Sequence, residues 1–477
     1  MNKNFYITTT LPYVNADPHV GHAMEFVRAD VIARVKKSQG YDVFFNTGTD
    51  EHGAKIERNA FSRGIPVQKF VDSVAENFKN LLVLLGISED IHFIRTTDIK
   101  HVEAAKEFWK ACDKRGFIYK KNYTTKYCVG CELEKTDSEL VDGKCPIHTS
   151  MVIEEIQEEN YFFKFSEFQK PLLDLYDRNP KFVVPSFRLN EIRTFVERGL
   201  NDFSISRLKS KMPWGIEVPN DPDHVMYVWF DALVSYISTL GWPTDKDNFE
   251  KWWVQTGGVV QYCGKDNLRQ QSAMWQAMLM AAGLSHSKQV VINGFVTGDG
   301  GIKMSKTLGN TIDPIEVVKE YGTDALRFFV LRELHPFEDS PFTMDKFKEA
   351  YNAHLANGLG NLVSRVLKMA ETNNVRLSKL PEVDIEKYIP LYDSYEINKV
   401  CDDIWERIQN ADKYVQENQP FKTIKEDIKK GQEQIIHLLN EVAHIGILLE
   451  PILPETSNKI EKAIKENKIA NPLFMRK

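Results

Sequence analysis

At 477 residues the chain is long enough for about three domains. With 42% hydrophobic and 27% charged residues and no apolar run of membrane-spanning length, it reads as an ordinary soluble globular protein without a membrane partner. A net charge of −6 excludes a wholesale polyanion-binding coat, although a local basic surface is compatible with it. The six cysteines, at 112, 128, 131, 145, 263 and 401, are too few and too clustered for a disulfide framework. Met1-Asn2-Lys3-Asn4-Phe5 runs straight into a strand pattern without a signal peptide, so a cytoplasmic location is expected.

Phe5-Tyr6-Ile7-Thr8 predicts a buried strand, which Pro12, Asn15, Asp17 and Pro18 break. From Val20, the residues Val20, Phe26, Val27, Ile32 and Val35 recur at helical spacing, and Tyr41-Asp42-Val43-Phe44-Phe45 predicts the next strand. This is a βαβ opening whose loop at a helix N-terminus suits a phosphate. His19 and His22 are three apart, so both rings fall on one side of the first helical turn, beside free backbone N–H groups. Imidazole donors there can stabilise charge growing on a phosphate under attack. Gly21 between them leaves room for a flat purine to approach the backbone.

Further along, Cys128-Val129-Gly130-Cys131 is followed by Cys145-Pro146-Ile147-His148. Two such pairs fold as facing turns that bring three thiolates and one imidazole onto a tetrahedral Zn²⁺, a closed structural site. A redox CxxC would open a helix and needs no second pair. Cys112, Cys263 and Cys401 read as packing residues. The aromatic and charged stretch from about Phe117 to Pro219 therefore reads as an insertion. The α/β pattern resumes with strands at Val225-Met226-Tyr227-Val228-Trp229 and Val259-Val260-Gln261-Tyr262, and Val290-Val291-Ile292-Asn293 is expected to be the last strand before a lysine-bearing loop. Lys303-Met304-Ser305-Lys306-Thr307 follows, amid Gly294, Gly298, Gly300 and Gly301. A mobile loop is expected, whose lysines swing onto the β- and γ-phosphates of a nucleotide. From about Asp345 the pattern is amphipathic helices. One begins over Ala353–Arg365, and another spans Gln434–Leu449 with Ile435, Leu438, Leu439, Val442, Ile445 and Leu448 on one face.

In this order and setting, His19-Val20-Gly21-His22 and Lys303–Thr307 resemble the two signatures of the class I aminoacyl-tRNA synthetases, with Thr307 where serine is usual. Leu11-Pro12-Tyr13-Val14-Asn15, Tyr227-Val228-Trp229-Phe230-Asp231-Ala232 and Gly264-Lys265-Asp266 narrow the resemblance to the single-knuckle bacterial methionyl branch. The resemblance implies an α/β fold: a Rossmann-like parallel-sheet catalytic domain in two halves, 1–116 and 220–298. A zinc-bearing connective insertion would fill 117–219, and the lysine loop with a stem-contact connector 299–344. A helical anticodon-binding domain would fill 345–477. His19, His22, Lys303 and Lys306 would be catalytic, and Asn15, Gly21, Asp266, Gly294 and Lys306 would hold ATP. Leu11, Tyr13, Asp50, Trp229, Ala232, Tyr236 and Gln271 would hold L-methionine, with Asp50 on its ammonium. A thioether suits such an aromatic, mostly apolar pocket.

By the same resemblance Arg207 would lie near the substrate carboxylate or phosphate, and Cys128, Cys131, Cys145 and His148 would bind one structural Zn²⁺. Asn361, Arg365 and Phe421, the last where tryptophan is usual, would read the anticodon of tRNA(Met). Gln271 stands where the branch usually places a histidine, and its amide can keep that residue's polar partner. The expected activity is ATP- and Mg²⁺-dependent methionine activation followed by transfer to tRNA. Two alternatives are another class I synthetase and a tRNA-binding paralogue without catalysis. The insertion is too short for the editing domain of the leucine, isoleucine and valine enzymes, and neither signature lacks a residue. With no small barrel domain after the helices, a monomer is expected.

Overall fold

In the computed structural model, which describes residues 3–130, 133–135, 137–302, 304, 311–468 and 471–477, six parallel strands form the central sheet. Their order is His92–Arg95, Tyr41–Thr49, Lys3–Thr9, Val260–Gly264, Gln289–Asn293 and Val183–Val184. The first strand is buried on both sides, as an internal parallel strand of aromatic and β-branched residues should be. After it the chain builds outward on one flank, then crosses to build the other. The sheet order therefore reverses between Lys3–Thr9 and Val260–Gly264, which pair as Ile7↔Val260 through Thr9↔Tyr262. In such sheets a ligand binds beyond the strand ends at that reversal. Both the Leu11–His22 loop and Gly264-Lys265-Asp266 emerge there.

Helix Val20–Ser38 covers one face. Its buried side chains, among them Val20, Phe26, Val27, Ile32 and Val35, join an apolar cluster that continues into the C-terminal helices. A second cluster, built around Phe108, Trp109, Trp253 and Trp275, covers the other face. Cys112, Cys263 and Cys401 are buried packing residues, as expected.

The stretch 117–219 is more varied than one inserted module. It holds a four-stranded antiparallel sheet in the order Leu133–Lys135, Ile118–Cys128, Ile153–Phe163, Phe203–Ser204. It also supplies Val183–Val184, the sixth strand of the parallel sheet. One expectation is corrected at its end. Val225–Trp229 is not a strand of the parallel sheet: Asp221–Met226 pairs antiparallel with Ser206–Leu208, and Val228–Ala232 is a short helix. Five apolar residues in a row fit a buried helical turn as well as a strand. Gln289–Asn293 is not the last strand before residue 303 either, because Val296–Thr297 follows it and pairs with Ser340–Pro341.

A helical run from Met344 to Thr372, with wider π turns over Tyr351–Gly360, leads into helices Ile397–Asn418, Ile428–Leu448 and Pro454–Glu466. Two buried arginines fasten helix Val20–Ser38 to the chain segment that leads into this part. Arg28 donates to Asn293 Oδ1 and to the carbonyls of Val330, Leu334, His335 and Pro336. Arg327 pairs with Asp30 at 2.9 Å and donates to the carbonyls of Leu85, Pro451 and Ile452. Among the described residues, no helix is long and apolar enough to cross a membrane.

Candidate active site

His19 is the N-cap of helix Val20–Ser38. Its Nδ1 accepts the Gly21 N–H at 3.1 Å, and its own N–H donates to His22 Nδ1 at 3.2 Å. This is a capping box with imidazoles in place of the usual hydroxyl and carboxylate. The rings stack with centroids 3.8 Å apart. Because Nδ1 is the acceptor on each ring, the neutral tautomer carries its proton on Nε2. Burial, and then the neighbouring His19, hold His22 well below the usual histidine range, so it is neutral at pH 7. A Cβ on Gly21 would lie 2.9 Å from His19 Cε1. The glycine therefore also makes room for the capping ring.

The loop after the first strand is fastened to the end of the second. Val14 N–H donates to the Asp50 carbonyl at 3.0 Å and Asp50 N–H to the Pro12 carbonyl at 2.9 Å, bridging Tyr13 to Asp50. Leu11, Tyr13 and the buried Asp50 thus come together as expected. Asn15 lies on the same loop, its carbonyl held by the Asn59 amide at 2.9 Å.

Beyond Asp50, the Glu51 carboxylate receives Arg95 at 2.7 and 2.9 Å, with the Thr49 and Thr97 hydroxyls. His52 Nδ1 lies 2.6 Å from Asp231 Oδ2, and Asp231 Oδ1 lies 2.7 Å from His101 Nε2. Asp231 belongs to the helix that presents Trp229 and Ala232. Trp229 is half-buried, and its enclosed indole N–H has no acceptor among the described residues. Tyr236 is buried close by. Its hydroxyl accepts the Gln271 amide at 2.7 Å, and Gln271 Oε1 accepts Gln261 Nε2 at 2.8 Å. The Gln271 amide thus donates and accepts at once, as that side chain can.

Asp266 is exposed just beyond the end of strand Val260–Gly264. Lys265 beside it pairs with Asp339 at 2.6 Å. Gly294 is buried, and a Cβ there would lie 2.2 Å from the backbone of Glu338, so it serves a close crossing of two chain segments. Gly298 N–H donates to the Ile302 carbonyl at 2.7 Å, closing a turn. Lys303 and Lys306 lie outside the described residues.

Arg207 is buried and stacks on the Tyr227 ring, 4.1 Å from its centroid, immediately before the Trp229 helix. Its Nη1 donates to Ser204 Oγ and the Ser206 carbonyl, both at 2.7 Å.

Sequence reasoning missed Glu25. Its carboxylate takes the Thr10 N–H at 2.7 Å, and burial pushes its pKa up to about 8, with Asp266 adding to the rise. The pairing of His52 with Asp231 was missed too. Asp231 sits inside the motif quoted for Trp229 and Ala232, and His52 lies two residues beyond Asp50, but only the fold shows that they meet.

At the tip of the insertion, ligand atoms of Cys128, Cys145 and His148 lie within 4.8 Å of one another, a spacing that one metal ion could bridge. Gly130 belongs to this cradle, since a Cβ there would fall 2.5 Å from the His148 ring. Cys131 lies outside the described residues.

In the helical part, Arg365 and Phe421 line one groove of about 560 Å³ together with Lys368, Met369 and Lys425. Arg365 is held by Asp412 at 2.6 Å, and Phe421 is 43% exposed. Asn361 is exposed one turn before Arg365 and does not line that groove.

These features have close counterparts. The family described as class I tRNA synthetases (M) matches residues 5–157 and 147–367, and the anticodon binding domain of methionyl tRNA ligase matches 368–475. The methionine–tRNA ligase of Rickettsia typhi is 39% identical, over 96% of this chain and 92% of its own length. That of Rickettsia felis is 40% identical, over 98% and 93%. Mycobacterium tuberculosis methionyl-tRNA synthetase in complex with methionyl-adenylate superposes with a TM-score of 0.89 at 35% identity, over 99% of this chain and 97% of that one.

Proposed function

The chain belongs to the class I tRNA synthetases, in their methionyl branch, and from that membership we propose how its residues divide the work. Its reaction is methionine–tRNA ligation: methionine is activated by ATP to methionyl-adenylate, and the methionyl group passes to the 3′-terminal ribose of tRNA. The observation that carries the assignment of residues is the Tyr13–Asp50 bridge beside the paired histidines at the sheet's reversal point. It brings Tyr13 and the buried Asp50 to the same end of the sheet as a helix N-terminus.

In the first step a methionine carboxylate oxygen attacks the α-phosphorus of ATP, and the bond to the bridging oxygen of pyrophosphate breaks. Asp50 holds the ammonium, while Leu11, Tyr13, Trp229, Ala232, Tyr236 and Gln271 enclose the thioether. Arg207, on the Tyr227 face, is assigned to the carboxylate or the α-phosphate. His19 and His22 donate Nε2–H to the phosphate oxygens as charge moves onto them. Lys303 and Lys306 neutralise the departing pyrophosphate, and Mg²⁺ enters with ATP as part of the substrate. Asn15, Gly21, Asp266 and Gly294 frame the nucleoside. The work is positioning and electrostatics. Pyrophosphate exchange with a panel of amino acids tests the reading, with methionine expected to give the fastest exchange by a wide margin. A faster rate with another amino acid would overturn it.

The domain boundaries given by the motifs, 1–116 with 220–298, 117–219, 299–344 and 345–477, carry over into this reading. The strand Val183–Val184 adds that part of 117–219 also completes the catalytic sheet. Cys128, Cys145 and His148, with Cys131 as the fourth ligand, are assigned to one structural Zn²⁺. The thiolate and imidazole donors suit it, at the tip of the long hairpin Ile118–Phe163. About one Zn²⁺ per chain is expected by elemental analysis, and its removal should speed proteolysis of the insertion while activation partly survives. Protein purified without chelator and found free of zinc would count against the site.

For the tRNA, the groove of Arg365 and Phe421 is assigned to unpaired anticodon bases, with Phe421 as the stacking face and Asn361 at its approach. Phe421→Ala should lower kcat/KM for tRNA about ten- to hundredfold, the range for one lost stacking contact, and leave pyrophosphate exchange unchanged. Equal charging of a tRNA whose CAU anticodon has been altered would contradict this groove's role. The chain is read as a monomer working in the cytoplasm.

A further inference from the structure

His52 lies two residues beyond Asp50, and Asp231 lies two residues beyond Trp229. The fully buried Asp231 carboxylate joins them, with Oδ2 2.6 Å from His52 Nδ1 and Oδ1 2.7 Å from His101 Nε2. His101 Nδ1 is in turn 2.8 Å from Ser238 Oγ. A neutral His101 serves both contacts when Nε2–H donates to Asp231 and the Ser238 hydroxyl donates to Nδ1. Likewise His52 donates its Nδ1–H. Burial pushes the Asp231 pKa up, but His52 and the two hydrogen bonds outweigh it and bring it down to about 2. An ionised acceptor with two buried donors is a short, strong link. This one spans 179 residues of chain and ties the Asp50 segment to the Trp229 helix.

We propose that the His101–Asp231–His52 chain sets the separation of Asp50 from Trp229, and with it the length of amino-acid side chain that the pocket accepts. The proposal rests on the assignment of Asp50 and Trp229 to methionine. All three are positioning residues, because they act through the two side chains that touch the substrate. Slack of about 1 Å at such a site costs up to about a hundredfold. The nucleotide side is held by other contacts, the His19–His22 cap and the Lys265–Asp339 pair, so ATP use should not register the change. Cutting the link would leave the Asp50 segment folded, since Arg95 and Thr97 still grip Glu51 and the Pro12–Val14 loop still grips Asp50, so the slack falls on the Trp229 helix.

The test compares His52→Ala with His52→Asn in the full chain, using pyrophosphate exchange with methionine and with its longer S-ethyl homologue. An asparagine amide nitrogen falls near the position of Nδ1 and restores that donor; alanine does not. His52→Ala should raise the methionine KM about tenfold or more, leave kcat and the ATP KM within about twofold, and narrow the preference for methionine over the homologue. His52→Asn should return most of that loss. A merely structural defect lowers the active fraction, so kcat would fall while both KM values stayed put, and that result overturns the proposal. So do an unchanged methionine KM in His52→Ala, an equal rise in the ATP KM, or a His52→Asn no better than alanine. If His52→Ala does not fold, the isosteric Asp231→Asn carries the same expectation for the two KM values and is overturned by the same results. Wild-type protein that failed to exchange with methionine would instead remove the underlying assignment, which separates the two failures.

Discussion

Replacing His22 with alanine is expected to slow adenylate formation by about two to three decades, the usual loss for one transition-state donor. The substitution removes two things. One is the Nε2–H assigned to the α-phosphate. The other is the Nδ1 acceptor that holds the His19 N–H at 3.2 Å, a capping contact whose loss costs about 0.5–2 kcal/mol of stability. His22→Asn separates them, because an amide oxygen near the Nδ1 position can still accept from His19 while no donor reaches the phosphate. The asparagine variant should therefore recover the melting temperature lost in His22→Ala and remain as slow in pyrophosphate exchange. Near-normal exchange in His22→Asn would mean that the histidines cap the helix and do no chemistry. The methionine KM should move little in either variant, since the pocket walls come from other segments.

The same pair of residues shows how far the sequence could be read. Their spacing placed two rings on one helical turn, and that is where they lie, because three residues along a helix always bring side chains to one face. That Nδ1 of each ring would be used by the backbone, leaving Nε2 to act, depends on φ and ψ at His19, which spacing does not encode. The long, strongly patterned elements were legible: the first strand, helix Val20–Ser38, and helix Ile428–Leu448 around the expected Gln434–Leu449. Val225–Trp229 was not, since a short apolar run carries no period to choose between strand and helix, and tertiary packing decided it. Val183–Val184 was missed for a related reason. Two residues are too short to show a pattern, yet pairing with Val290 and Val291 makes them the edge of the central sheet. Gln271 was legible as an amide that keeps a hydrogen-bond partner, but that the partner is Tyr236 required the fold. The His52–Asp231 contact lies beyond any local reading, with its members 179 positions apart.

Asp50→Ala is expected to lower kcat/KM for methionine by about three decades, or about 4 kcal/mol, with the ATP KM nearly unchanged. Asp50 is 6% exposed, and its backbone is gripped on both sides by the loop of Pro12 and Val14, so its carboxylate cannot swing away to be replaced by water. Removing it leaves the substrate ammonium desolvated and unpaired, and truncating one partner of a buried pair costs far more than the net worth of the pair. Asp50→Asn keeps the shape and one acceptor oxygen but not the charge, so its loss should be intermediate. The decisive comparison uses a substrate without the charge: the deaminated methionine analogue, which retains the carboxylate and the thioether. Wild-type enzyme should activate it poorly, and Asp50→Ala should activate it no worse than wild type does, since the group that Asp50 would meet is gone. If Asp50→Ala loses a further large factor on the analogue, the carboxylate shapes the loop and does not bind the ammonium. If alanine instead leaves methionine activation within about tenfold of wild type, the ammonium is held elsewhere, because a lost buried charge partner cannot cost so little.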